Sequence, residues 1–282
     1  MIRSLLYVPA SSDKFLARAH ERGADALILD LEDAVAPQEK LSARARLKDA
    51  VASAGRNGAK VFVRINAGAP ALDDAAAACR AGAFGLFVPK VHAPADLTRI
   101  DAHLDRIERG SEHVVLVPML EDPGAVLDAR VMAAASARVF ALVAGSEDLA
   151  TTMGAEPTPE VLRLPKLMVH LAAKAAGVRS FGMLRSVADF RDVEGVKRAA
   201  REARDFGFEG ATCIHPSLVP ILNAAFSPSL EEIEHARRLV AAFEAAQAAG
   251  QGAFVFDGKM VDEPVVARAR ALLARAAHEP SA

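Results

Sequence analysis

"VVLVPMLED", residues 114–122, is an apolar run that stops on two acids. A run this rich in valine and leucine, with no alternation of polar residues, reads as a strand buried on both faces. Its ending carries the information. A buried strand that finishes on Glu121 and Asp122 presents charge at the rim of its sheet, to water, to a helix start or to a bound cation.

The same pattern repeats in both directions. Candidate strands "SLLYVP", "DALILDLE", "KVFVRIN", "FGLFVPKV", "HVVLVPMLED", "RVFALVAGSED", "RSFGMLRSV" and "EGATCIHP" alternate with alanine-rich amphipathic segments such as "SDKFLARAHERG", "EKLSARARLKDAVASAG" and "LMVHLAAKAAG". Gly23, Gly55, Gly82, Gly110, Gly177 and Gly207 stand where left-handed caps would close such helices. Eight nearly all-apolar strands, each followed by a helix, predict a parallel sheet covered by helices, in an α/β (β/α)8 TIM barrel. A doubly wound open sheet is the competing architecture. It fits less well, because the units number eight and no GxGxxG follows the first strand.

The barrel is expected over residues 1–226. Residues 227–282 fall outside the repeat: a helix over 228–250, a hairpin in "AFVFDGKMVD" turning at Asp257-Gly258, a last helix in "EPVVARARALLARA", and a loose tail "HEPSA". This C-terminal extension is expected to pack on the barrel mouth or on a neighbouring subunit.

Composition narrows the function classes. The 282 residues are 52% hydrophobic, enough for a sizeable core. A net charge of −2 with no long block of like charge argues against a nucleic-acid partner. Cys79 and Cys213 lie far apart with no CxxC pair and read as reduced thiols. No apolar run approaches the length of about 18 residues of a membrane span, and the N-terminal run is too short for a signal peptide; a soluble cytoplasmic protein is expected.

Polar residues gather at the C-terminal strand ends: Asp30, Glu32 and Asp33; Arg64 and Asn66; Lys90; Glu121 and Asp122; Glu147 and Asp148; Arg185; His215. In a barrel these ends share one face, where active sites are built. Glu121 and Asp148 end consecutive strands, which would put their backbones about 5 Å apart. Two such carboxylates repel unless a proton or a cation lies between them, and Mg²⁺ is commonly held by one or two carboxylates with substrate and water completing its shell. The alternative is helix capping, since "EDPG" and "SEDLA" both resemble helix starts; Asp122 and Glu147 are read that way. Arg64 closes an otherwise apolar strand, and its fork suits a carboxylate, either of a ligand or of Asp30 or Glu32. His215 reads as a packed or capping histidine, and Tyr7 as a core aromatic with a polar tip. No GxSxG, HExxH or Walker A sequence competes.

Taken in order, "RSLLYVPASSDKFLARAHERGADALILDLEDAV", "VRIN", "LFVPKV", "LVPMLED", "AGSEDLA", "GFEGATCIHP" and "GKMVDEPVVARAR" resemble the citrate lyase beta-subunit-like family of HpcH/HpaI barrels, in its malyl-CoA and citramalyl-CoA lyase branch. The resemblance spans nearly the whole chain. It implies a Mg²⁺-dependent carbon–carbon lyase acting on a 3-hydroxyacyl-CoA, with an acyl-CoA and a 2-oxo acid as partners and a homotrimer or homohexamer as the assembly. It implies Glu121 and Asp148 as metal ligands, with Glu121 also at the substrate, and Arg64 on the substrate oxygens. Tyr7, Lys14 and Arg18 match the positions that meet coenzyme A; the basic pair, one helical turn apart, suits phosphates, or else forms a solvated face. Asp262 matches the aspartate that serves the reacting carbon, commonly from an adjacent subunit. Lys90 is expected to pair with Asp30 or Glu32 rather than to form a Schiff base. One departure stands out: where many relatives carry an acidic pair after "AAGV", this chain reads Arg179-Ser180-Phe181-Gly182. A metal-dependent aldolase on a free hydroxy-oxo acid, a malyl-CoA thioesterase and a non-catalytic assembly subunit are the alternatives.

Overall fold

Parallel pairing organises the computed structural model, which describes residues 1–108 and 113–277. The strands are β1 (Ser4–Pro9), β2 (Ala26–Asp30), β3 (Lys60–Arg64), β4 (Gly85–Val88), β5 (Val115–Leu120), β6 (Ala141–Ala144), β7 (Arg179–Phe181) and β8 (Ala211–Cys213). They are ordered β7-β6-β5-β4-β3-β2-β1-β8, with every neighbouring pair parallel. A single parallel bridge, Phe181 with Gly210, joins β7 to β8, supported by Gly182 N–H donating to the Gly210 carbonyl at 2.9 Å. The sheet thus closes into a (β/α)8 barrel, and the open sheet is set aside.

The pleat sorts the strand residues into two layers. Leu5, Ile28, Phe62, Phe87, Val117, Met119, Val143 and Phe181 form one buried cluster, inside the barrel. Leu6, Leu27, Leu29, Val63, Leu86, Leu116, Leu120 and Leu142 belong to a second, between sheet and helices. Edge-to-face packing of Phe62 on Phe87, 5.4 Å between centroids at 83°, fills the interior. Because side chains alternate, the residue two beyond each inner apolar position also points inward, at the C-terminal mouth. Leu5 leads to Tyr7, Ile28 to Asp30, Phe62 to Arg64, Met119 to Glu121 and Val143 to Gly145. The floor of the mouth follows from a period of two.

Several local expectations are corrected. The first amphipathic segment forms only a short helix, Asp13–Leu16, then a 3-10 turn, Ala19–Glu21, because Arg18 leaves helical geometry at φ −116°, ψ 7°. The second splits at Arg46, with ψ near 1°, into Lys40–Ala45 and Leu47–Ala54. Gly55 has ordinary right-handed geometry, and the left-handed cap falls on Gly58, at φ +85°. Gly23, Gly82, Gly177 and Gly207 take positive φ as expected. β7 is shorter than its apolar run, since Gly182, at φ +152°, turns the chain away. Gly110 and the "HEPSA" tail lie outside the described residues.

Contacts divide the chain into two compact units, one of Ile2–Phe226 and one from Ser227 onward. The second contains a helix, Leu230–Ala248, opened by a capping box of Ser229 and Glu232. An antiparallel hairpin of β9 (Phe254–Phe256) and β10 (Lys259–Val261) follows, turning at Asp257 (φ +48°) and Gly258 (φ +75°), and then the helix Glu263–Ala277. Its own small core holds Leu239, Phe243, Val261 and Val266. Among the described residues no helix is long and apolar enough to cross a membrane.

Candidate active site

The barrel mouth holds a cavity of about 480 Å³, lined among others by Tyr7, Asp30, Arg64, Glu121, Asp148 and Lys166. Register builds its first half. Asp30 and Arg64 are direct partners across β2 and β3, both inward, so the guanidinium meets the carboxylate in two parallel bonds, Nη2 to Oδ2 at 2.6 Å and Nε to Oδ1 at 2.7 Å. Its remaining nitrogen reaches Asp33 and Glu32, each at 3.1 Å. The alternative weighed from sequence, an internal ion pair, is therefore what forms; Arg64 is not a cation held open for a ligand alone. Burial opposes its charge, but the hydrogen bonds and charge of Asp30 outweigh this and push its pKa above the ordinary value. It stays charged, lying 5.1 Å over the Tyr7 ring. Burial raises the Tyr7 phenol well above its usual range, so it remains neutral.

Glu121 is the opposite case. Its side chain is 5% exposed, and among the described residues no side-chain cation pairs with it. Its one hydrogen bond comes from the Lys90 backbone N–H at 2.8 Å, presented by a left-handed Lys90 at φ +52°. Burial, and then the charges of Glu32 and Asp148, push its pKa up to about 7 against the opposing pull of that N–H and of Arg64. An anion at this position is short of positive charge. Gly145 makes room for it: a Cβ there would stand 2.5 Å from Glu121 Cγ and 2.7 Å from Oε1.

Asp148 requires a correction. The β5–β6 register pairs Leu120 with Ala144, so the neighbour of Glu121 is Gly145, not an acid. Asp148 sits three residues further on, in the first turn of the helix Ser146–Met153, and comes back toward Glu121 because that helix begins at the strand end. Both still line the cavity, and Asp148 is near enough to raise the pKa of Glu121. A buried carboxylate deficient in positive charge, with a second carboxylate on the same cavity, is a donor set that fits a hard divalent cation. Among the described residues no group of three or more His, Cys, Asp or Glu could hold a metal. A two-carboxylate site leaves the rest of the shell to substrate and water, as Mg²⁺ usually does.

The other candidates divide clearly. Asp122 caps the helix Pro123–Leu127, accepting from Ala125 N–H at 2.9 Å, as read from sequence. Glu147 does not cap its helix; it accepts from the Ser186 hydroxyl. Lys90 pairs with Glu32 at 2.9 Å, as expected. His215 caps a 3-10 turn and stacks on Phe190, 4.9 Å between centroids. Lys14 and Arg18 are exposed and not among the cavity lining, and Arg18 pairs with Glu21 at 3.0 Å. They do not share one continuous helix, since the first helix stops at Leu16. Asp262 lies in the second unit, half-buried before the last helix, with Val265 N–H at 3.4 Å from Oδ1. Sequence reasoning missed Lys166 and Gly145. The signal for Lys166 was a charge on the apolar stripe Leu162, Lys166, Val169, Ala173 of the helix Pro159–Ala175.

The geometry can now be compared with known proteins. The chain is 38% identical, over 97% of its length and 94% of the relative's, to a (3S)-malyl-CoA thioesterase of Cereibacter sphaeroides. It is 33% identical, over 97% and 93%, to the citrate lyase subunit beta of Escherichia coli. Among solved structures, protein CitE of Mycobacterium tuberculosis, in complex with magnesium, acetoacetate and coenzyme A, matches with a TM-score of 0.78 at 31% identity, covering 98% of both chains. The family model described as HpcH/HpaI aldolase/citrate lyase matches residues 3–216. With that match over most of the barrel, the chain belongs to the HpcH/HpaI aldolase/citrate lyase family.

Proposed function

We propose that this chain is a magnesium-dependent carbon–carbon lyase that reversibly cleaves a 3-hydroxyacyl-CoA, such as malyl-, citramalyl- or citryl-CoA, into a 2-oxo acid and an acyl-CoA. The observation that carries it is Glu121, a buried carboxylate matched by no side-chain cation among the described residues, on the same cavity as Asp148 and Arg64. Glu121 and Asp148 would hold magnesium, which would supply Lewis acidity at the substrate hydroxyl, whose proton passes to solvent. Arg64, kept charged by Asp30, stabilises the oxygen on which negative charge develops. Asp262, from the same chain or a neighbouring copy of a homotrimer or homohexamer, delivers a proton to the acyl-CoA carbon as the electron pair of the cleaved carbon–carbon bond arrives there. Lys14 and Arg18, on the exposed first turns, meet the coenzyme A phosphates, while Tyr7 faces the acyl end from within the cavity.

Asp262→Asn should lower turnover by about 10²–10⁴-fold while leaving oxo-acid binding in place. Wild-type turnover in that variant removes Asp262 from the mechanism.

Thioester hydrolysis is the second reading, favoured by the thioesterase relative at 38% identity. One experiment separates the two. The protein is incubated with Mg²⁺ and the three acyl-CoA substrates while oxo acid and free thiol are followed together. Oxo acid without thiol supports the lyase. Thiol without oxo acid replaces it with the thioesterase, and no product from any substrate sinks both.

A further inference from the structure

The barrel mouth contains a charge that the proposed reaction does not use. Lys166 is 4% exposed on the inward stripe of the helix Pro159–Ala175, and its side chain lines the cavity. Among the described residues no hydrogen bond or ion pair reaches its ammonium group. Burial pulls its pKa down to about 8, opposed by the charge of Glu147, whose carboxylate is engaged by Ser186. Its other surroundings are mostly apolar, Leu142, Ala144, Val169, Phe181 and Phe208, and the one hydroxyl among them, that of Ser180, is bonded to His170 Nδ1 at 2.6 Å. Gly182, where β7 turns away, presents no side chain beside it. A buried cation without a direct ion pair or hydrogen bond is costly, and packing alone would be better served by leucine or methionine at this stripe position.

The direct pairs of the mouth show what is missing. Asp30 and Asp33 pair with Arg64, Glu32 pairs with Lys90, and a divalent cation would match Glu121 and Asp148. Glu147 lies on the same cavity and acts on Lys166 by its charge, but it accepts from Ser186, and among the described residues no ion pair joins it to Lys166. We propose that Lys166 receives the distal carboxylate of a dicarboxylic 2-oxo acid, so that this site prefers an oxo acid carrying a second acid group. The assignment rests on the reading of the mouth as an oxo-acid site. A carboxylate there forms a charge-assisted hydrogen bond shielded from water, while the 2-oxo and adjacent carboxylate oxygens occupy the Glu121–Asp148 side.

Calorimetric titration of the full chain in Mg²⁺ with fresh oxaloacetate and with pyruvate tests it. At a pH of about 7 the wild type should bind oxaloacetate at least about tenfold more tightly than pyruvate. Lys166→Met should abolish that preference while leaving pyruvate affinity within about twofold, and Lys166→Arg should retain it. Raising the pH from about 7 to about 9 deprotonates the amine, so the preference should fade in the wild type and persist in the arginine variant. Lys166→Gln is a second neutral variant should the methionine protein not fold. A preference that survives in the neutral variants overturns the assignment, as does a wild type with no preference. Borohydride trapping of an oxo acid on Lys166 also overturns it, because the amine would then be a nucleophile. If the wild type binds neither acid in Mg²⁺, the oxo-acid reading fails first and this assignment with it.

Discussion

Arg138 is buried and Arg64 is 12% exposed; both are held by three acids, and they sit in different regions of the barrel unit. Arg138 precedes β6 and is held by Asp101 at 2.6 Å, Asp105 at 2.5 Å and Glu108 at 2.7 Å, residues on or next to the helix Pro94–Ile107. Arg64 is held by Asp30, Glu32 and Asp33. Each is kept charged by its acids, yet only one borders the candidate active site. Pairing does not distinguish them. The difference lies in what surrounds them: beside Arg64 the mouth also contains an anion short of positive charge, Glu121, and a buried ammonium, Lys166, that among the described residues makes no direct ion pair. Such unmatched charges are what a ligand completes.

The sharpest way to break this comparison is Glu121→Gln. Turnover should fall by about a thousandfold, as several kcal/mol of Lewis-acid stabilisation are lost with the metal. The same variant should change apo stability in the other direction. Burial pushes the Glu121 pKa up to about 7 from its ordinary value of 4.5, so its contribution is complete below about 4.5 and is lost as pH rises through about 7. Thermal melts in chelator should show the wild type losing up to roughly 3 kcal/mol over that window relative to the glutamine variant. Parallel pH profiles would mean Glu121 is not the unmatched charge.

Arg138→Met should do the reverse. It leaves Asp101, Asp105 and Glu108 without their cation at a site 7% exposed, and should cost about 3 kcal/mol in denaturant unfolding while turnover per folded molecule is unchanged. Lost turnover at full stability would erase the distinction between the two arginines.

Gly145→Ala is the smallest and most specific probe. The added methyl collides with Glu121, so magnesium affinity should fall by about 10–100-fold, as when a ligand loses its orienting neighbour. Gly154→Ala, at φ +66° with open space around it, should cost only about 1 kcal/mol of stability and leave metal binding intact. Equal effects of the two on metal affinity would show that Glu121 does not depend on that gap.

Some of the site was readable from the chain because its geometry is local. Strands carry a two-residue period, so Tyr7, Asp30, Arg64 and Glu121 had to share the inward face once the strands were recognised. The Asp257-Gly258 turn and the Ser229–Glu232 cap are equally local. The first two helices were over-read, since alanine-rich amphipathic text does not show where a segment breaks to follow the barrel wall.

What the sequence determined alone, then, was the eightfold strand–helix repeat and the strand-borne residues Tyr7, Asp30, Arg64 and Glu121 that reach the C-terminal mouth, because both depend on spacing along one segment. Tertiary structure decided the rest: that Arg64 spends its fork on Asp30, that Gly145 rather than an acid stands beside Glu121, and that Lys166 enters the cavity from a helix. These depend on register between strands and on how a helix packs against the sheet, distances that no spacing within a single segment encodes.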